Sequence, residues 1–189
     1  MFDVWMRILR AVEGSVLWLS QVPAAAMERL RSEAEARGVA PSRLVLAPYV
    51  AASEDHLARQ RLAGLFLDTL PYNAHTTAAD ALWAGLPVLT CAGDNFAGRV
   101  AASLNAAIGL PEMTVPSLAE YEARAVALAK DPAMLAAIKA KLAAHRTTHP
   151  LFDTARFTRN LEAAFTAMWE RAERGDKPES FAVAEGAGA

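Results

Sequence analysis

Leu67-Asp68-Thr69-Leu70-Pro71-Tyr72-Asn73-Ala74-His75-Thr76-Thr77-Ala78-Ala79-Asp80 joins an apolar strand to a helix through a turn rich in groups that suit phosphate. A helix starting at Thr76 or Thr77 points its free backbone N–H groups and the positive end of its dipole into the space beyond that strand, where anions bind. His75 adds a proton donor, the hydroxyls of Thr76 and Thr77 donate to phosphate oxygens, and Asp80, one turn on, accepts from a sugar diol. The pattern predicts a nucleotide diphosphate site. Thr77-x-x-Asp80 also fits a capping-box variant, in which hydroxyl and carboxylate satisfy orphan amides and bind nothing. Context favours a ligand, because open α/β sheets hold ligands outside the carboxyl ends of their strands.

Outward from this turn the chain alternates. A helix pattern over Val4 to Val12 is stopped by Gly14, and Val16 to Leu19 reads as a strand. Met27 to Arg37 reads as an amphipathic helix closed by Gly38 in a left-handed cap, and Arg43 to Tyr49 as a second strand. Ser53 is placed to cap a helix running to about Leu62, with Glu54 and Asp55 in its first turn. Strand Leu65 to Asp68, helix Thr77 to Ala84, strand Pro87 to Cys91 and helix Phe96 to Ile108 follow. Short connections between alternating strands and helices imply a parallel sheet. The expected fold is α/β, a Rossmann-like parallel sheet with flanking helices and, beyond it, C-terminal helices at Ser117 to Ala129, Pro132 to Ala144 and Thr154 to Arg174. The last carries Phe157, Leu161, Phe165, Met168 and Trp169 at helical spacing, a packing stripe. Residues 1–175 form one expected domain, and 176–189, aperiodic and ending in alanine and glycine, an expected disordered tail.

The 189 residues suffice for one substantial core, and 53% apolar residues suit strands buried on both faces. A formal net charge of -2 offers no basic surface for nucleic acid or anionic membrane. The single cysteine, Cys91, excludes an intrachain disulfide, fits a reducing compartment and reads as a small buried thiol at a strand end. Charge interrupts the first ten residues, so they do not read as a signal peptide. No apolar run approaches the roughly 20 residues that span a bilayer. The expectation is a soluble cytoplasmic protein.

A second constellation sits on the helix after Val50-Ala51-Ala52-Ser53, where His56 and Arg59 share a face. An imidazole and a planar guanidinium suit a nucleobase; a solvated helix face is the alternative. Gly93-Asp94-Asn95 can offer backbone amides, and Arg99 can reach an anion or bridge surface acids. Walker, Gly-x-Gly-x-x-Gly and Gly-x-Ser-x-Gly motifs are missing. His145 and His149 are four apart without a carboxylate or cysteine partner, so a zinc site is not expected.

Taken in order, Val16-Leu17-Trp18-Leu19, Leu67-Asp68-Thr69 with Asn73-Ala74-His75-Thr76-Thr77 and Asp80, Leu82-Trp83-Ala84-Gly85-Leu86-Pro87-Val88-Leu89-Thr90, and Arg99-Val100-Ala101-Ala102-Ser103 resemble the O-GlcNAc transferase and SPINDLY family. Pro150-Leu151-Phe152-Asp153-Thr154 and Met168-Trp169-Glu170 fit the same pattern. The resemblance implies the donor-binding, C-terminal half of a GT-B glycosyltransferase. It further implies that His75, Thr76 and Thr77 hold the diphosphate of UDP-GlcNAc and Asp80 the ribose. The Ala51 backbone and Arg59 would read the uracil, with His56 lining the pocket. At Ser53 the family's best-known members carry a lysine that contacts the nucleotide.

By the same resemblance the reaction is inverting, independent of metal or other cofactor, and directed at Ser/Thr hydroxyls of a protein acceptor. Members also carry a Phe-Asn-x-x-x-Lys motif, an acceptor-side domain with a proposed catalytic histidine, and tetratricopeptide repeats, all upstream of the helix that begins here at Phe2. The expectation is therefore a chain that binds donor as part of a longer enzyme, with no catalytic residue of its own. Alternatives are a non-catalytic nucleotide-sugar-binding remnant and part of another GT-B enzyme, a protein N-glucosyltransferase or a nucleotide-sugar epimerase.

Overall fold

The structure, a computed structural model, describes residues 1–183. Helix α1 (Phe2–Ala11) leads into strand β1 (Leu17–Ser20), helix α2 (Ala24–Ala36), a 3-10 turn and strand β2 (Leu44–Ala47). Helix α3 (Ser53–Gln60), strand β3 (Phe66–Leu67), helix α4 (Thr76–Ala84), strand β4 (Val88–Cys91) and helix α5 (Val100–Ala107) follow. Strand β5 (Thr114–Val115) precedes helices α6 (Leu118–Lys130), α7 (Pro132–His145) and α8 (Thr154–Glu173).

Every strand pair is parallel, but the strands form two ladders, β1-β2 and β3-β4-β5. Parallel ladders linked through helices are the pieces of an open α/β sheet. No strand among the described residues is hydrogen-bonded between β1 and β3. Helix α1 spans the division: Val4 and Ile8 enter the core of the β3-β4-β5 wing, while Met6 and Leu9 enter that of the β1-β2 wing.

Burial differs between the wings. All of β4 is buried, and enclosing Val88 and Leu89 stabilises the fold by about 1.5–3 kcal/mol each. In β1, Trp18 and Leu19 are only half-buried. Gly85 ends α4 at φ 89°, a left-handed conformation that favours glycine and turns the chain directly into β4.

Several boundaries differ from the sequence reading. Helix α5 starts at Val100 rather than Phe96, because Asn95 Oδ1 accepts from the Gly98 amide and Gly93 N donates to Gly98 O, which holds 93–98 in a closed turn. Strand β5 carries too little pattern over two residues to be read in advance. Ser53 does not cap α3: it is the first helical residue, Ala52 holds the cap position, and no side chain caps that end. The α8 stripe packs against little of this chain, for Phe157, Phe165 and Trp169 are 64%, 59% and 68% exposed. In the expected tail, residues 176–183 form no helix or strand, with Arg171 donating to Glu179; residues 184–189 lie outside the described part.

Candidate functional site

Loops at the carboxyl ends of β2, β3 and β4 carry the predicted site residues, the placement expected of an open α/β sheet. The central loop is fixed from below. Asp68, 2% exposed, directly follows β3 and accepts from the Ala74 amide (2.7 Å) and the Thr90 hydroxyl (2.6 Å). Tyr121 Oη, from α6, donates to the Asp68 carbonyl at 2.9 Å. Asn73, also buried, donates to the Thr69 carbonyl at 2.8 Å. Burial pushes the Asp68 carboxyl above its usual range against the pull of those hydrogen bonds. Sequence reasoning gave Asp68 no role; an acid closing the apolar run Leu65-Phe66-Leu67 was the available signal.

This frame presents the start of α4. His75 occupies the cap position and no side chain caps the helix, so the Thr77-x-x-Asp80 capping box is not formed. His75 O accepts from the amides of Ala78 and Ala79. Among the described residues, neither the amides nor the hydroxyls of Thr76 and Thr77 have a hydrogen-bond partner, and both residues are exposed. Four donors and the positive end of α4 therefore face outward together, an arrangement that suits an anion. The His75 ring stacks on Tyr72 (centroids 4.8 Å apart) and meets Phe96 edge-on at 6.0 Å, with Nε2 3.4 Å from the Ala97 carbonyl oxygen.

Toward β2 lies the second cluster. Arg59 Nη2 donates to His56 Nδ1 at 2.9 Å; a guanidinium only donates, so Nδ1 is the acceptor and the imidazole proton sits on Nε2. That Nε2 lies 4.0 Å from Asp80 Oδ2. Arg59 also donates to the Pro48 carbonyl and lies over the Trp18 ring at 5.9 Å. His56, Arg59 and Asp80, half-buried, are thus drawn together across α3 and α4, while Ala51 and Ser53 stand exposed at the entrance to α3. Trp18 is a member of this cluster that the sequence reading left in a strand.

Other predicted positions are less engaged. Arg99 occupies the cap of α5 and reaches the Gly93 carbonyl at 3.3 Å. His145 and His149 stack on each other at 3.7 Å, and no group of three or more metal-ligating side chains occurs among the described residues. Cys91 is buried, and burial pushes its thiol up. A cleft of about 390 Å³ lined by Arg61, Trp83 and Arg146 opens near the far end of α4, away from His75. No helix of the described residues is long and apolar enough to cross a membrane.

Comparison with known proteins bears on this arrangement. The family model described as Glycosyl transferase family 41 matches residues 1–161. The chain is 44% identical over 184 residues to the probable UDP-N-acetylglucosamine-peptide N-acetylglucosaminyltransferase SEC of Arabidopsis thaliana, covering 97% of this chain and 19% of that protein. It is 40% identical to the UDP-N-acetylglucosamine-peptide N-acetylglucosaminyltransferase of Caenorhabditis elegans, covering 92% of this chain and 15% of that one. A mutant O-GlcNAc transferase of Thermobaculum terrenum superposes with a TM-score of 0.85 at 35% identity, over 92% of this chain and 34% of that chain. The chain thus spans a minor part of the length of each.

Proposed function

We propose, from the premise that this chain belongs to glycosyl transferase family 41, that it holds the nucleotide-sugar donor of a protein O-glycosyltransferase, with UDP-GlcNAc as the donor. The observation that carries the reading is the open N-terminus of α4, where the amides and hydroxyls of Thr76 and Thr77 stand unpaired beside His75. The diphosphate sits there. Asp80 accepts from the ribose, and Arg59 with His56 and the exposed backbone at Ala51 meets the uracil. The chemistry is inverting transfer of N-acetylglucosamine to a Ser/Thr hydroxyl of a protein acceptor in the cytoplasm, within a longer protein that supplies the acceptor side.

On this reading the chain's contribution is leaving-group stabilisation. Charge that develops on the departing diphosphate meets helix-terminal amides already aimed at it, and donors that need no reorganisation are where electrostatic catalysis is most effective. We propose that this replaces a metal, so that chelation leaves donor binding unchanged. Ser53, exposed at the entrance to α3, offers the nucleotide no cation.

Calorimetric titration of the chain with UDP and with GDP tests the reading. Saturable UDP binding that His75→Ala and Asp80→Ala each weaken supports it. A folded chain with no affinity for UDP sinks it.

A further inference from the structure

His145 and His149 close the seam between the ends of α7 and α5. His145 Nδ1 lies 2.9 Å from the Ile108 carbonyl oxygen, which only accepts, so Nδ1 carries a proton and donates. The His149 ring stacks on it, centroids 3.7 Å apart and planes 16° from parallel. Thr148 Oγ1 gives its single proton to the Ala144 carbonyl, so in its 3.1 Å contact with His149 Nδ1 the imidazole is the donor. On both rings Nε2 is therefore the nitrogen that titrates.

Gly109 makes the seat. It sits at φ 72°, in the left-handed region, and a Cβ there would lie 2.5 Å from His149 Nε2 and 2.7 Å from His145 Nδ1. The rings thus fill the place of a side chain. A proton arriving on His149 Nε2 points toward that glycine, where no acceptor stands among the described residues. The end of α5, Ala106-Ala107-Ile108-Gly109, brings no charge to the pair. Of the charged groups nearby, Lys141 on α7 pairs at 2.6 Å with Glu112, from the 3-10 turn after α5. Arg146 is turned to Trp83, and Asp153 caps α8. One imidazolium beside a neutral ring is tolerated; two of them face to face at 3.7 Å, with Lys141 adjacent, repel.

What the seam holds is the link to α8. Arg146 Nη1 donates to the Trp83 carbonyl at 2.7 Å with its guanidinium 5.5 Å over that ring, and Phe152 meets the same ring edge-on at 5.0 Å. Helix α8 buries no residue of its own, so its seating depends on segment 146–153. We infer that the His145–His149 stack is a pH-operated latch: neutral, it clamps that segment and α8 to α5 and α4; doubly protonated, it releases them while the sheet stays folded. Burial, then the charges of His145 and Lys141, hold His149 below its ordinary range. The latch is therefore closed above the unfolded histidine value and opens as pH falls through the folded one.

The test is hydrogen–deuterium exchange of the full chain at about pH 7.5 and about pH 5, corrected for the intrinsic pH dependence of exchange. In the wild type the segment's amides, among them His149 bonded to His145 O and Asp153 bonded to Pro150 O, are expected to lose about 10-fold or more in protection at the lower pH, while those of β4 keep theirs. His149→Phe keeps a stacking ring that takes no proton and stays protected at both pH values. His149→Gln, without the ring, shows no pH response in the segment. Equal wild-type protection at both pH values, a loss that spreads through β4, or a response of wild-type size in either folded variant overturns the inference.

Discussion

At the α4 end of the site buried groups hold the backbone, whereas at the α3 end half-exposed side chains hold one another. The open start of α4 stands on Asp68, Asn73, Thr90 and Tyr121, all buried. The α3 cluster is a surface chain, Trp18 to Arg59 to His56 to Asp80, resting on one strand pair with no buried residue in α3. One end is preorganised by the interior. The other is free to adjust to what it binds. Affinity is therefore expected to come chiefly from the α4 end and discrimination among bases from the α3 end.

Substitutions at the two ends separate these roles. The largest effect is expected at Asp68: Asp68→Ala strands the Ala74 amide and the Thr90 hydroxyl in the interior and lowers stability by about 2–4 kcal/mol in denaturant titration. UDP binding goes with it. Asp68→Asn keeps an acceptor for Ala74 and a partner for Thr90, and it tests the pH linkage as well. Because burial raises the folded-state pKa of Asp68, its contribution is fully present below the unfolded carboxylate value and is lost as pH rises through the folded value. Wild type minus Asp68→Asn should therefore show stability declining with rising pH across that window; a flat difference contradicts it.

Second in size, Asp80→Ala is expected to weaken UDP about 10-fold without moving the melting temperature, since on the proposed reading it removes a ligand contact at a half-buried position. A matching fall in stability would mean that Asp80 supports α3 rather than ligand. Arg59→Ala should be smaller for UDP itself, about 3- to 5-fold, while narrowing the preference for UDP over GDP. Unchanged base preference would show that the surface cluster discriminates nothing.

The smallest effect lies far from both ends. Burial against the stacked ring, then the nearby charges of His145 and Lys141, hold His149 below its usual range. Lys141 is itself paired with Glu112 at 2.6 Å. A depressed histidine contributes stability above its unfolded pKa and loses it as pH falls through the folded value. The melting temperature should therefore drop more on acidification in the wild type than in His149→Gln, with neither site end affected.

What could be read from the sequence follows the same division. The His75-Thr76-Thr77 turn and Asp80 were legible because helical spacing alone places a carboxylate one turn behind a helix start. His56 and Arg59 were legible for the same reason. The rest depends on contacts between distant segments: the Tyr121 hydroxyl under Asp68 is 53 residues away in sequence. Phe96 and Ala97 look helical locally, yet Asn73 claims the Ala97 carbonyl and Gly98 packs on Pro71, so α5 starts later. Trp18 could be assigned to a strand but not to Arg59, because pairing across two loops leaves no periodic trace.

Helix α1 places one side in each wing's core, through Val4 and Ile8 on one side and Met6 and Leu9 on the other. It is therefore the boundary shared by two cooperative units, and the amides of both should exchange with deuterium at similar rates only while it stays seated. Loosened there, the β1-β2 unit would melt first. The α3 end of the site would dissolve while the α4 end kept its shape, and on the proposed reading the chain would still grip diphosphate but no longer tell one nucleotide from another.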